Sequence, residues 1–522
     1  MHLDLAKDAP AELAGEIAIV GAGAAGITLA RRLLAHGRSV ILLESGGRDY
    51  DPRTADLAAG ENIGLPYYDL EDARLRFFGG TTAIWGGRCS ELDPIDLERR
   101  PWVPHSGWPI GWDELAGYYA EARPLFGLQA GDPLAPPIPP PAFDAAELVT
   151  PVWRFDRQFD RFSFARAADL LRHPRCTILT HATVTAIEPA ADGNAIAALE
   201  ARSLTGRRTR IAARQVVLAA GGIETPRLML ASDIGNRHDQ VGRYFMEHPH
   251  ARGGRIVDGD AWGLFAAFAR QRIAGGGELA ALIAAAPALQ RREGLLNTSL
   301  TIAPRRPPTA RESWGMRAYL KAKHSAAPDR LGRTLWLGVK SAAGWAQRRT
   351  DPMRPWLLHR LGRLDVALVV RAEQAPNPAS RVTLGGERDE LGMPRVRLDW
   401  RTSALDVDSV AGLVAALGRE ATRLGLGRVE PAPWLSDPAK AWITDPLISA
   451  HPIGGYHHIG TTRMSDDPKT GVTDGWGRVH GLANLHVAGS SLFPTSGWAN
   501  PTLTIVALAL RTADRLHRVM DR

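Results

Sequence analysis

Ile17-Ala18-Ile19-Val20-Gly21-Ala22-Gly23-Ala24-Ala25-Gly26, continued by Ile27 to Gly37 and by Val40-Ile41-Leu42-Leu43-Glu44, is the stretch that decides the fold. Its first four residues form an apolar run of the length of a buried strand. Ile27, Leu29, Ala30, Leu33 and Leu34 then recur at helical spacing, and Gly37 suits the helix end. Val40 to Leu43 reads as a second strand, closed by an acid. Glycines at 21, 23 and 26 permit a tight turn and a close approach of backbone to a pyrophosphate, which the free N–H groups and dipole of the next helix attract. Glu44 follows at the distance where a carboxylate accepts hydrogen bonds from an adenosine ribose. A ligand-free Gly-rich turn would need neither the flanking strands nor the acid. The order therefore predicts an α/β fold whose parallel sheet binds a dinucleotide.

Four further motifs lie outward from this turn. Gly79-Gly80-Thr81-Thr82-Ala83-Ile84-Trp85-Gly86-Gly87 is a loop of small residues with one aromatic. Val216 to Ser232 reads as a buried strand, a Gly221-Gly222 turn and a helix. Tyr456-His457-His458-Ile459-Gly460-Thr461-Thr462-Arg463-Met464 precedes a short strand, Ala483 to Ala488, that ends in Gly489-Ser490. Trp498-Ala499-Asn500-Pro501-Thr502-Leu503-Thr504 then starts the last helix, with Pro at a first-turn position.

In this order the motifs resemble the glucose–methanol–choline (GMC) family of flavin oxidoreductases, and within it the pyranose-oxidase and sugar-dehydrogenase branch. The resemblance implies FAD. It implies that Gly21, Gly23, Ala24, Ala25, Gly26, Glu44 and Ser45 hold the nucleotide, with Val184 at the adenine. Gly79, Gly80, Thr81, Thr82, Ile84, Trp85 and Gly86 would cover the flavin, and Ala220, Gly221, Gly489, Ser490, Asn500, Pro501 and Thr502 would complete its site. Pyranose oxidases carry a His at the position of Ile84 and bond it to the flavin, so Ile84 implies noncovalent FAD. Ser232-Asp233 stands where the family has Ser-Gly, a small departure. His457 takes the place of the family's catalytic base, and Asn500 that of its partner at the substrate oxygen. A neutral imidazole suits that task near neutral pH. His458 competes for the role; if the segment is a strand, only one of the two faces the substrate. His248 is open to two readings, a pocket residue or a structural one.

A hydrophobic share of 45% and a charged share of 23% describe a globular chain, and no run approaches a membrane span. The longest apolar run, Leu279 to Ala286, ends at Pro287. Met1 to Gly15 shows no basic-then-apolar leader, and two cysteines, Cys89 and Cys176, give no disulfide framework. These features lead us to expect a cytoplasmic protein. No His/Cys/Asp spacing suggests a metal, and nothing resembles a nucleic-acid fold.

The matched motifs predict a discontinuous Rossmann-like FAD-binding domain from residues 1–90, 166–249 and 456–522. An α+β substrate-binding domain with an antiparallel sheet would come from 91–165 and 250–455. Within it, Ser380 to Leu384 and Arg395 to Trp400 alternate like half-buried strands. Pro304 to Arg363 carries fourteen Lys or Arg against three acids, interleaved with Trp and Leu, and makes the chain basic. Three readings stand: a solvated basic face, a peripheral contact with an anionic inner-membrane surface, or an acidic partner that includes a polyanionic substrate.

The expected function is FAD-dependent oxidation of an alcohol CH–OH, in a sugar, glycoside or polyol, with hydride passing to flavin N5. The electron acceptor is a quinone, a redox protein or oxygen, with a dehydrogenase favoured over an oxidase. The alternatives are a hydroxynitrile-lyase-like enzyme that keeps FAD, an oxidase of a non-sugar alcohol or sterol, a nicotinamide dehydrogenase, and a noncatalytic flavoprotein.

Overall fold

A computed structural model describes residues 1–128, 135–156, 158, 160–310 and 330–521. At its centre the strand Glu12–Val20 runs parallel to Val40–Leu43 on one side and to Arg208–Leu218 on the other. The sheet order is His2–Asp4, Cys176–Thr180, Val40–Leu43, Glu12–Val20, Arg208–Leu218, Ile196–Arg202, Thr183–Pro189, and Leu485–Val487 also pairs in parallel with Arg208–Leu218. Where these strands pair side by side, residues 17–20, 40–43 and 216–218 are apolar and buried, as a parallel sheet covered on both faces requires. The Ile196–Arg202 and Thr183–Pro189 edge is antiparallel.

The helix Ala24–Ala35 buries Ile27, Leu29, Leu33 and Leu34, each contributing about 1.5–3 kcal/mol. It ends where Gly37 turns left-handed at φ +78° and donates to the Leu34 carbonyl at 2.9 Å. The C-terminal helix Thr502–Met520 lies against it, tied by Arg32 to Asp514 at 2.6 Å.

Three further sheets complete the mixed α/β architecture. A six-stranded sheet runs Arg428–Pro431, His250–Val257, Asp365–Arg371, Ser299–Arg305, Ile283–Ala285, Leu148–Val149. A four-stranded sheet joins Gln271–Arg272, Glu278–Ala281, Val152–Phe155 and Arg88–Cys89. The apolar run Leu279 to Ala286 is therefore two buried strand segments, one in each sheet. Arg381–Arg388 and Pro394–Asp399 pair antiparallel, as their alternation predicts, and Gly60–Asn62 adds in parallel.

Two features differ from the expectation or extend it. The segment 456–464 is not a regular strand. Tyr456 is left-handed at φ +60°, and Ile459 makes only an isolated bridge to Met246. The segment is instead wedged between two turns. Gly460 donates to Ser490 and Thr462 to Ser491, while a Cβ on Gly222 would sit 2.3 Å from the His458 carbonyl oxygen. In the basic region, the described residues form the helices Arg330–Thr350 and Met353–Arg360; Trp314 and Tyr319 lie outside the described residues. Cys89 and Cys176 are buried and unbridged.

Candidate active site

The nucleotide turn is built as its glycines require. Gly21 is at φ +107°, and a Cβ there would meet the Ala219 carbonyl oxygen at 2.6 Å. Gly26 packs the helix onto the strand: its Cβ would lie 1.9 Å from the Gly21 oxygen. Gly23, Gly221 and Gly489 come from three separate parts of the chain, and a Cβ on any of them would meet nothing within 4 Å. All three line one cavity of about 780 Å³. The buried Glu44 carboxylate accepts the Ala22 N–H at 3.0 Å and the Gly46 N–H at 2.9 Å. Burial raises its pKa and these backbone donors pull it back. Gly79 donates to the Ala22 carbonyl at 2.8 Å and so fixes the 79–87 loop across the turn. Every residue singled out above for the cofactor, together with His457 and Asn500, lines this cavity except Gly26. The missing Cβ of Gly26 serves helix–strand packing and does not face the cavity.

The two histidines of the 456–464 segment diverge. His458 Nε2 donates to the Tyr67 oxygen at 3.1 Å, and its ring lies among Tyr67 and Phe245. His457 meets His248, Nδ1 to Nδ1, at 2.7 Å, and its Nε2 lies 3.2 Å from Asn500 Nδ2. The proton positions follow from one acceptor-only group. The Gly497 carbonyl accepts from His248 Nε2 at 2.8 Å, so that nitrogen carries hydrogen. Neutral His248 then offers a lone pair at Nδ1, which receives the Nδ1–H of His457. The His457 lone pair is left at Nε2, where the Asn500 amide donates to it. Burial keeps these rings neutral: it lowers the pKa of His457 well below the usual value and that of His248 to about 4. His458 is pushed to about 3, by burial and then by Arg74.

Glu247 supports the arrangement from behind. It accepts the backbone N–H of His457 at 2.9 Å, of His248 at 2.8 Å and of Gly455 at 3.1 Å, and the Tyr67 hydroxyl at 2.6 Å. Burial raises its pKa and these donors oppose the rise. Ligating atoms of Glu247, His248 and His457 lie within 4.8 Å of one another, although no spacing in the sequence announces a cluster. The facing histidine nitrogens are committed to each other and the carboxylate to backbone, so the geometry is that of a hydrogen-bonded relay. Tyr67 and Glu247 have no short-range signal in the sequence. Their roles depend on contacts between segments nearly two hundred positions apart. The same holds for Arg88, His250, Arg305 and Arg371, which the six- and four-stranded sheets bring to the cavity wall.

The profile of the FAD dependent oxidoreductases matches residues 16–348, and that of the GMC oxidoreductase C-terminal region matches 376–509. The chain is 26% identical to paromamine 6'-oxidase of Streptomyces fradiae, over 95% of this chain and 90% of that protein. It is 24% identical to the fructose dehydrogenase large subunit of Gluconobacter japonicus, over 97% and 98%. It is also 24% identical to 2-methyl-1,2-propanediol dehydrogenase of Mycolicibacterium austroafricanum, over 96% and 95%. In fold it is similar to a fungal aryl-alcohol oxidase, with a TM-score of 0.57 at 15% identity over 97% of this chain and 99% of that one. Open glycine faces at Gly23, Gly221 and Gly489, a buried ribose-type acceptor at Glu44, and helices beginning at Ala24, Gly221 and Thr502 fit an extended dinucleotide with a ring at its far end. The chain belongs to the FAD dependent oxidoreductases and is a member of the GMC oxidoreductase family.

Proposed function

We propose that the protein oxidises an alcohol CH–OH group of a sugar, glycoside or polyol, with His457 as the base and Asn500 as the partner at the same oxygen. The observation that carries this reading is the relay from the Gly497 carbonyl through His248 to His457, which leaves a lone pair at His457 Nε2 beside Asn500 in the cavity wall. That nitrogen accepts the hydroxyl proton. The Asn500 amide holds the oxygen as its charge develops. Glu247 fixes the backbone of His457, so the imidazole approaches from one direction. Bound FAD would supply N5 as the acceptor of the carbon-bound hydride. The names of relatives include a diol and a sugar as substrates, which supports a polyol donor. Ile84 lines the cavity at the loop, and an alkyl side chain there supports noncovalent FAD.

The test is anaerobic mixing of the holoenzyme with sugars, glycosides and simple alcohols, followed by re-oxidation with oxygen or a quinone. Bleaching of the flavin is the expected result. A flavin that stays oxidised with every alcohol while the protein cleaves a cyanohydrin would replace this reading with a lyase.

A second observation concerns the acceptor. The helix Arg330–Thr350 exposes Leu331, Leu335, Val339 and Trp345, the first three on one stripe four residues apart, and Gly332 at its start is part of the cavity wall. No helix among the described residues is long and apolar enough to cross a membrane. An exposed apolar stripe on a basic helix fits the surface of an anionic bilayer, and so favours a dehydrogenase that passes electrons to a membrane quinone.

A further inference from the structure

Three of the arginines that line the cavity, Arg88, Arg305 and Arg371, have no carboxylate partner among the described residues. Arg88 comes from the Arg88–Cys89 strand, Arg305 from the end of Ser299–Arg305 and Arg371 from the end of Asp365–Arg371. Most other buried arginines are paired with acids: Arg74 with Glu224 and Arg227 with Asp389 on the same cavity wall, Arg100 with Glu373 and Arg252 with Asp445, whereas Arg463 has no acid partner among the described residues. None of the three cavity arginines is in an ion pair among the described residues. Arg371 donates to His250 Nε2 at 2.8 Å, and His250 in turn donates from Nδ1 to the His451 carbonyl at 2.6 Å. Arg305 donates to the Pro304 carbonyl at 2.8 Å and to that of Ile448. Arg88 lies over Trp153 and Phe155, with its guanidinium carbon 5.0 and 5.8 Å from the ring centres; Arg371 lies 5.1 Å from the same Trp153 ring. The Nε atoms of Arg88 and Arg371 are buried and have no acceptor among the described residues.

A guanidinium carries five donors in a planar fork, so most of the donors in this cluster are uncommitted. Glu44, Glu71, Asp72, Glu224 and Asp389 also line the cavity, yet the charges acting most strongly on the three come from one another and from Arg252 and Arg270. Burial, then repulsion from Arg270 and Arg305 on Arg88 and from Arg252 on Arg305, lowers these two to about 10; burial, Arg88 and Arg305 hold Arg371 well below its usual value. Like charges gathered on an enclosed wall are disfavoured until an opposite charge joins them. Arg371 is near enough to the relay for its charge to act on both His457 and His248. Base and cationic wall can therefore hold two parts of one small molecule.

We propose that the substrate is anionic: a hydroxy acid or polyol bearing a carboxylate or phosphate ester, whose oxyanion is held by Arg88, Arg305 and Arg371 while its reacting hydroxyl faces His457 and Asn500. Arginine is the side chain suited to such groups, because its fork matches their oxygens in pairs. This rests on the alcohol-oxidation reading above and narrows it. The anion takes no part in the bond changes. The O–H proton goes to His457, the C–H pair leaves as hydride for bound FAD, and the ketone or aldehyde product keeps its oxyanion.

The test uses the holoenzyme and two independent measurements. In anaerobic flavin bleaching, glucuronate, gluconate and glucose 6-phosphate are compared with glucose and methyl glucoside. At least one acidic donor is expected to show an apparent Kd about tenfold or more below its neutral counterpart, the effect of one charge-assisted hydrogen bond. Preference for glucuronate or for glucose 6-phosphate separates carboxylate from phosphate ester. In Arg371→Gln and Arg88→Gln, each checked for retained FAD, the preference is expected to fall by about tenfold, through Kd more than through the limiting rate. In calorimetry, inorganic phosphate and sulfate are expected to bind the wild-type holoenzyme and to bind the variants more weakly. Equal affinity for neutral and acidic donors, or no heat with either anion, would overturn the proposal. If no alcohol of any charge bleaches the flavin, the alcohol-oxidation reading fails by itself, and the calorimetry still judges the arginine site.

Discussion

His248 sets the proton on the base, and replacing it in two ways separates that role from packing. In the fold its Nε2–H is held by the Gly497 carbonyl at 2.8 Å and its Nδ1 receives His457 at 2.7 Å. An Asn side chain places its Oδ1 where His has Nδ1, so His248→Asn keeps an acceptor for the His457 Nδ1–H. A Gln amide reaches the Nε2 position, so His248→Gln keeps the contact with Gly497 but withdraws that acceptor. The next acceptor for His457 Nδ1 is Glu247 Oε1 at 3.9 Å, beyond hydrogen-bond range. An unmet buried donor costs about 1–3 kcal/mol, which corresponds to about five- to 150-fold in rate when the cost falls on the reacting tautomer. We expect His248→Gln to slow anaerobic flavin reduction by that amount with little change in substrate Kd. We expect His248→Asn to stay within about fivefold of the wild type. The assay is stopped-flow flavin absorbance at saturating substrate. Equal losses in the two variants, or losses confined to Kd, would refute the relay and leave His248 a packing residue.

Removing the base itself, in His457→Ala, should lower the reduction rate by about two to four orders of magnitude while FAD stays bound. His458→Ala should instead lower thermal stability with much less effect on rate, because its ring bonds to buried Tyr67; the reverse ranking would move the base to His458. Asn500→Ala is expected to slow reduction by a few kcal/mol in barrier, and unchanged kinetics would remove it from the mechanism. Acid precipitation should leave the flavin in the supernatant, since Ile84 offers no nucleophile; a yellow pellet would contradict this. For stability, burial holds His248 and His486 at about 4 and His458 at about 3, below the unfolded value of about 6.5. Each takes up a proton on unfolding, so stability is full above about pH 6.5 and is lost toward the folded values by up to about 1.4 kcal/mol per pH unit per histidine. His486 bonds Gln215 at 3.1 Å, so His486→Asn should flatten the fall of the urea midpoint between about pH 6.5 and 4; an unchanged slope would count against this. Finally, the protein should cosediment with anionic vesicles and be released by salt. Arg349→Ser with Arg354→Ser should weaken binding by up to about 1 kcal/mol per charge, and no cosedimentation at low salt would return the helix to a solvated face.

The sequence by itself determined the parallel sheet around Glu12–Val20, the turn at Gly21 to Gly26 and the family, because those features are written in neighbouring residues. An apolar run makes a strand, a glycine makes a left-handed turn, and a 3.6-residue period makes a helix, wherever they occur. His457 and Asn500 stand out for the same reason, each inside a short motif. Gly26 shows the limit of such reading: the motif explains why no side chain fits there, and only the fold shows that the space is taken by the Gly21 carbonyl rather than facing the cavity. The 456–464 segment shows another, since its backbone bonds go to Met246, to the Glu247 carboxylate and to residues 490–492 rather than to a continuous strand ladder. Tertiary structure alone decided which nitrogen of His457 is free, because the deciding group is a carbonyl forty positions away acting through a histidine more than two hundred positions away. It alone assembled Arg88, Arg305 and Arg371, one from each of three strands. Electrostatic character belongs to a place in space, and charges that share a wall need share nothing in the order of the chain.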